Sequence, residues 1–294
     1  MKRFLICIGL FILTAGYLGV NAQNIIDAGD DHNWNDFYDR SQIKGKKAVP
    51  FEFLRKSDVV WERAVWRTID FREKFNQFYY FPINTDQNTQ GRINIVNAFM
   101  KAIEDGTIEV YEDDDMNIPM SWEKVKASCL STRYIDKEVG EDEFGDPIYE
   151  KQAVQEDFDP SMVYKMHLKE YWYIDKEDTR QKVRIVALSF TYDRTKEVDG
   201  EEIPDPIDMF WVPMDDMRVR NYLAAIDAYD ENNNTLERSY DQVLLSRYFD
   251  SYVTRETNRF NRAISDYLTG MDAIVESQNI EENIFDIESD MWEY

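Results

Sequence analysis

The chain has 294 residues, with 58 acidic side chains against 34 basic ones and a net charge of −24. A field of that sign repels nucleic acid and anionic lipid head groups, so a charged partner has to be basic or metal-bearing. Two cysteines and two histidines leave little material for a disulfide framework or a histidine-rich metal centre.

The first residues carry an export signal. Lys2 and Arg3 precede the apolar run Phe4–Val20, and Val20-Asn21-Ala22 offers a small-residue cleavage site before Gln23. This is the anatomy of a secretory signal peptide over residues 1–22. The competing reading is a membrane anchor, but about 17 apolar residues is at the short limit for a span. Cys7 would leave with the peptide. The mature chain would be Gln23–Tyr294, with 58 acidic and 32 basic residues and a charge of −26 once Lys2 and Arg3 are gone. Its one remaining thiol, Cys129, reads as a small buried hydrophobe. Residues 23–48 are polar and Asp/Asn-rich, with Trp34, Phe37 and Tyr38 scattered among them. They read as a flexible N-terminal arm.

The stretch Ser57–Phe75 reads as a helix capped by Ser57 or Asp58. On a wheel, Val60, Trp61, Ala64, Val65, Ile69, Phe71 and Phe75 fill one half, and Glu62, Arg63, Arg67, Asp70, Glu73 and Lys74 fill the other. Trp66 interrupts the charged half and Arg72 the apolar half. Each has two readings. Trp66 lies under a neighbouring loop or anchors a partner. Arg72 pairs with an internal carboxylate or captures one from a partner. A second helix follows over Ile93–Glu104, ended by Asp105-Gly106. Thr107–Tyr111 alternates as a strand, Glu112–Asn117 is an acidic loop, and Ser121 opens a short helix.

The middle reads as a sheet. Val163–Ile174 and Val183–Tyr192 are strands joined by the hairpin loop Asp175–Lys182, and Ile207–Val212 is a third, ended by Pro213. Glu138–Asp159 and Glu197–Pro206 read as loops, the first a long excursion. Two runs repeat at an offset of 118 residues: Ile108–Asp113 resembles Ile226–Glu231, and Ser121–Val125 resembles Ser239–Val243. On that repeat, spanning 108–125 and 226–243, Tyr222–Tyr229 is expected to be a strand despite its helical composition. Gln242–Leu268 and Met271–Glu288 read as C-terminal helices broken at Gly270. The fold expected is α+β: one domain over 49–294, with a mostly antiparallel sheet flanked by helices and a helical C-terminus.

No catalytic or cofactor motif emerges. There is no HExxH, CxxC, GxSxG, GxGxxG or phosphate-binding glycine loop. The loop Asp230–Asn234 spaces oxygen ligands as a calcium site would, but lacks the turn glycine and the bidentate Glu. The expectation is a protein without catalytic residues, cofactor or metal, whose candidate functional residues are partner contacts: Trp61, Arg63, Trp66, Arg67 and Arg72.

The same stretch resembles the signature of the gliding motility GldN (PorN) family. That signature is D-V-x-W-x-x-x-V-W-R-x-I-D-x-R-E-K-x-N. Asp58, Trp61, Val65, Trp66, Arg67, Ile69, Asp70, Arg72, Glu73, Lys74 and Asn76 stand at its positions. The runs "AIEDGTIEVYEDDD", "MFWVPMDDMR", "RYFDSYVTRETN" and "IFDIESDMWEY" are similar to the family as well. The resemblance implies a non-enzymatic periplasmic subunit of the type IX secretion and gliding apparatus of the Bacteroidota. It implies assembly into a ring with a GldK/PorK-like outer-membrane lipoprotein, and contact with a GldM/PorM-like inner-membrane protein. The alternative is a periplasmic ligand-binding module, which needs a concave pocket.

Overall fold

The computed structural model of the chain describes residues 46–83, 92–141, 147–156, 158–177, 180–198, 201–229 and 238–292. The expected signal peptide and residues 23–45 of the expected arm lie outside these. Residues 46–48 are packed down: the Ala48 amide donates to Asn221 Oδ1 at 3.1 Å, and Lys46 pairs with Asp227 at 3.1 Å.

A seven-stranded antiparallel sheet organises the described residues. Its strands are β1 (Val59–Asp70), β2 (Val110–Tyr111), β3 (Pro119–Met120), β6 (Val163–Asp175), β7 (Gln181–Val198), β8 (Glu201–Pro213) and β9 (Tyr252–Glu256). Their order is β3-β2-β8-β7-β6-β1-β9. A separate hairpin pairs β4 (Ser131–Glu141) with β5 (Pro147–Glu156). The helices are α1 (Gln77–Tyr80), α2 (Ile95–Glu104), α3 (Trp122–Cys129), α4 (Met217–Ala224), α5 (Tyr240–Leu245) and α6 (Met271–Trp292). This is the α+β architecture expected from the sequence.

The core follows from register. Ile69 faces Met166, Met166 faces Phe190, and one step along, Leu168 faces Leu188, which faces Val212. These side chains point to one face of the sheet. There they meet Ile95, Val96, Phe99 and Ile103 of α2, Val219 and Leu223 of α4, and Val243 and Leu244 of α5 in one buried cluster. Phe99 lies 5.6 Å from Phe190, centroid to centroid, which ties α2 to the sheet centre. The caps of α2, α3 and α5 are Asn94, Ser121 and Ser239, each accepting a first-turn amide. Arg220, fully buried, joins α4 to α5 by a two-point pair with Asp241 (3.0 and 3.2 Å) and donates to the Val49 carbonyl.

Six expectations are corrected. Ser57–Phe75 is not one helix: residues 59–70 are β1, and a 3₁₀ turn at Lys74–Asn76 follows. β1 lies between β6 and β9 and is buried on both faces over part of its length, which blurs the alternation that marks a strand. Its β-branched and aromatic residues fit a pleated surface better than a helix. Glu138–Asp159 is mostly the β4–β5 hairpin, and Glu197–Pro206 runs largely within β7 and β8. Residues Tyr222–Ala224 end α4, and pairing near Tyr229 shrinks to the bridge Asp227–Ser239. Gln242–Leu268 breaks after α5 because Arg247 turns into the left-handed region at φ +52°, and β9 follows. Thr107–Tyr111 pairs only at Val110–Tyr111.

Cys129 is buried, and desolvation pushes its thiol up to about 11. It behaves as the inert hydrophobe expected.

Asn76 ties the exit of β1 to the entry of β9. Its Nδ2 donates to the carbonyls of Asp70 and Asp250, and its Oδ1 accepts the Asp250 amide, each at 2.9 Å. Asn76→Ala strands these buried groups, and the expected loss of stability is about 3 kcal/mol. Urea unfolding measures it, and a loss below about 1 kcal/mol would show that the tie is dispensable.

Candidate partner interface

β1 sends its odd-numbered residues to the core side of the sheet and its even-numbered residues to the other side. The five residues expected to act together are thereby separated. Trp61, Arg63 and Arg67 share the core side, Trp66 stands on the opposite side, and Arg72 lies two residues beyond the strand. They do not form a single helical ridge.

On the core side, Arg67 is buried against Glu170 of β6, which is fully buried. Arg67 Nε lies 3.1 Å from Glu170 Oε2, and its Nη1 lies 2.5 Å from Glu281 of α6. Arg247 Nη1 lies 2.5 Å from Glu170 Oε1, and Trp172 Nε1 donates to Oε2 at 3.2 Å. The Trp172 ring faces both guanidiniums, at 5.9 Å for Arg67 and 5.2 Å for Arg247. Two positive and two negative groups thus balance, with Glu170 and Arg67 buried and Arg247 and Glu281 partly open to solvent, and the opposite charges around Glu170 are the condition for tolerating its burial. Arg63, half-buried, pairs with Glu256 of β9 at 3.2 Å and lies over the Trp61 ring.

On the opposite side, Trp66 sits under the acidic loop. Its Nε1 donates to Asp114 Oδ2 at 3.0 Å. Lys169 and Arg255 bring cations to the ring, at 5.4 and 4.2 Å. Lys169 in turn holds the loop through the Asp114 carbonyl (3.0 Å) and Asp115 (2.7 Å). A polar file crosses four strands beside it. Thr68 Oγ1 lies 2.8 Å from His167 Nδ1, His167 Nε2 lies 2.6 Å from Thr191 Oγ1, and Thr191 donates to Asp208 at 3.1 Å. Burial lowers the His167 pKa, favouring the neutral ring.

Arg72 is the most exposed of the five, with 62% of its side chain open. It clamps Asp70 at two points: Nε donates to Oδ1 at 2.9 Å, and Nη2 reaches Oδ2. That hydrogen bonding holds the Asp70 carboxyl below the usual carboxylate range.

The outer edge of this region is β9. α6 lies beside it, and Ser277 accepts the Val253 amide at 2.8 Å. Between them opens a cleft of about 560 Å³, lined by Tyr252, Thr254, Leu268, Ile274, Gln278 and Glu281 among others. No cluster of metal-ligating side chains occurs among the described residues. The Asp230–Asn234 loop lies outside them.

The family model for the gliding motility associated protein GldN matches residues 54–293. The chain belongs to the GldN family. Its members are components of the gliding motility and type IX secretion machinery, a structural rather than an enzymatic family. No curated protein matches the chain. The structure accounts for the GldN-like runs. Those starting at Asp58 and at Arg247 are adjacent in space: Asn76 binds Asp250, Arg63 binds Glu256, Arg255 covers Trp66, and both Arg67 and Arg247 reach Glu170. The "EDDD" of the third run supplies Asp114 and Asp115, the roof over Trp66.

Sequence reasoning passed over Glu170, Lys169, Arg247 and Arg255. Glu170 left a signal: Met166, Leu168, Trp172 and Ile174 alternate as one apolar row, and Glu170 occupies its middle. A charge at an inward strand position demands a buried partner.

Two predictions follow from this geometry. Glu170→Gln leaves two guanidiniums without their shared carboxylate, and the expected cost is about 3–5 kcal/mol. Chemical denaturation reads this, and an unchanged midpoint would mean that the cluster relaxes into water. The Asp70–Arg72 clamp has a pH signature. Because the folded pKa of Asp70 is depressed, the clamp contributes above the unfolded value near 3.9 and is lost as pH falls through the folded value. Arg72→Gln should therefore be slightly less stable than the wild type at pH 7, with the gap closing in acid. A gap that stays constant from pH 7 to pH 2 contradicts this.

Proposed function

We propose that the chain is a non-enzymatic periplasmic subunit of the type IX secretion and gliding machinery. It assembles with a GldK/PorK-like outer-membrane lipoprotein into a ring and contacts a GldM/PorM-like inner-membrane protein. The observation that carries the reading is the GldN family match, which spans β1 to α6. Export of the chain is supported by the leader-like residues 1–22. Partner contact is assigned to the β1 neighbourhood, with Trp61, Arg63 and Arg72 as the side chains nearest solvent. Arg67 and Trp66 act there from beneath, by holding α6 and the acidic loop in place.

A second reading, a periplasmic ligand-binding module, is favoured by the cleft between β9 and α6. Its volume of about 560 Å³ lies in the range of small-molecule sites. One experiment separates the two. The chain from Gln23 onward is purified alone and with the lipoprotein, and particle mass is measured by light scattering on a sizing column. A many-copy particle that needs the lipoprotein is the expected result. A monomer in both preparations, with a small molecule retained in the cleft, would overturn the first reading in favour of the second.

A further inference from the structure

Helix α6 carries apolar residues on two sides, and the fold buries one of them. Ile280 and Ile284 are buried against Val65, Val253 and Ile264. On the opposite side, Met271 is 73% exposed, Ile274 55%, Val275 47% and Phe285 67%. At about 100° per residue these four fall within a stripe about 100° wide, and Met271 and Phe285 lie about 20 Å apart along the axis. Packing does not explain these exposed apolar residues, Met271, Ile274 and Val275 at one end and Phe285 towards the other with Gln278 and Glu282 between them, on a helix that already has a buried face. Exposed apolar patches of this kind mark contact sites.

The charge on the helix selects the occupant. α6 contains Asp272, Glu276, Glu281, Glu282, Asp286, Glu288 and Asp290, and no Lys, Arg or His. Glu282 lies within the exposed stripe and Asp286 along its border, both open to solvent. Only Glu281 is turned to an internal cation, Arg67, among the α6 ion pairs described. A second copy docking face to face would set one uncompensated acidic helix against another, and an anionic bilayer would be repelled in the same way. A partner segment with lysines or arginines around its own apolar row matches both features. The stripe also runs into the β9–α6 cleft, which Ile274 and Gln278 line beside the half-open Tyr252. The cleft gives such a segment a place to seat one large side chain.

We propose that the solvent face of α6, with the adjoining cleft, is the docking site for a cationic amphipathic segment of another protein, taken up in the helix-in-groove manner. This deepens the machinery reading, and rests on it, by naming the chemistry of one partner contact.

The test places a photo-crosslinking benzoylphenylalanine at Phe285 of the full chain in cells that make it. Irradiated adducts are mapped by mass spectrometry. The expected adduct joins residue 285 to a Lys/Arg-rich segment of a different protein. That segment, made as a peptide, should bind the purified chain with an affinity that falls as salt rises. Ile274→Ser/Phe285→Ser and Glu282→Lys/Asp286→Lys should each weaken binding at least tenfold, with thermal unfolding unchanged. An adduct to a second copy of the chain, adducts within the chain only, no adduct, or full-strength binding by either variant overturns the proposal. If the lipoprotein-dependent particle still forms in those cases, the docking site fails and the machinery reading stands. If neither is seen, both fail.

Discussion

Glu170 is a carboxylate with no access to water, placed in the inward row of a sheet among Met166, Leu168 and Trp172. Such a group costs several kcal/mol to bury unless opposite charge and hydrogen bonds surround it. Much of the chain's arrangement near β1 supplies that surrounding. Arg67 comes from the neighbouring strand, Arg247 from the turn after α5, and the indole of Trp172 from the same strand. Arg247 reaches its position with φ at +52°, a conformation a non-glycine residue adopts at a cost of order 1 kcal/mol. The cluster also marks a border. The main core lies on one side of it, and the smaller cluster that seats α6 lies on the other. Through Arg67, which binds both Glu170 and Glu281, the C-terminal helix is attached to the sheet by charge as well as by apolar contact.

The opposite face is held by a different device. There an aromatic ring lies between two cations, and an acidic loop folds over them. The two faces of β1 thus use the same residue types, Trp with Arg or Lys with Asp or Glu, in two separate assemblies. That explains why the GldN-like runs are dense in aromatic and charged residues. They supply intramolecular contacts that bring three distant parts of the chain together, and those contacts leave α6 and the acidic loop in defined positions on the surface.

The sequence made some of this readable. Strands β6, β7 and β8 announce themselves by alternation and β-branched content, and α2 by its stripe and its Asn94 cap. Asp105-Gly106 and Gly270 end or begin helices where expected, the glycines at φ +67° and +64°. β1 was illegible because burial on both faces removed the period of two, while Glu, Arg and Ala suggested a helix. α5 and β9 merged into one expected helix because nothing in the local sequence marks the reversal at Arg247; that turn is fixed by Glu170, 77 residues away. The candidate contact residues can be read from the sequence as residue types, but not as faces. Their side chains alternate across the sheet, and only a structure assigns each to a face.

The strands that end the sheet on its two sides are both short. One ends in the two-residue strand β3, where Pro119 has no amide hydrogen to offer. At the other, β9 is five residues long and gives its Val253 amide to Ser277 of α6. Neither of these two terminal strands is itself the long free ladder by which sheets fuse from molecule to molecule. At these two strands another molecule finds side chains rather than a length of backbone on which to continue the sheet. A contact made through side chains can be broken and remade, unlike the one-way zippering of an amyloid-like stack.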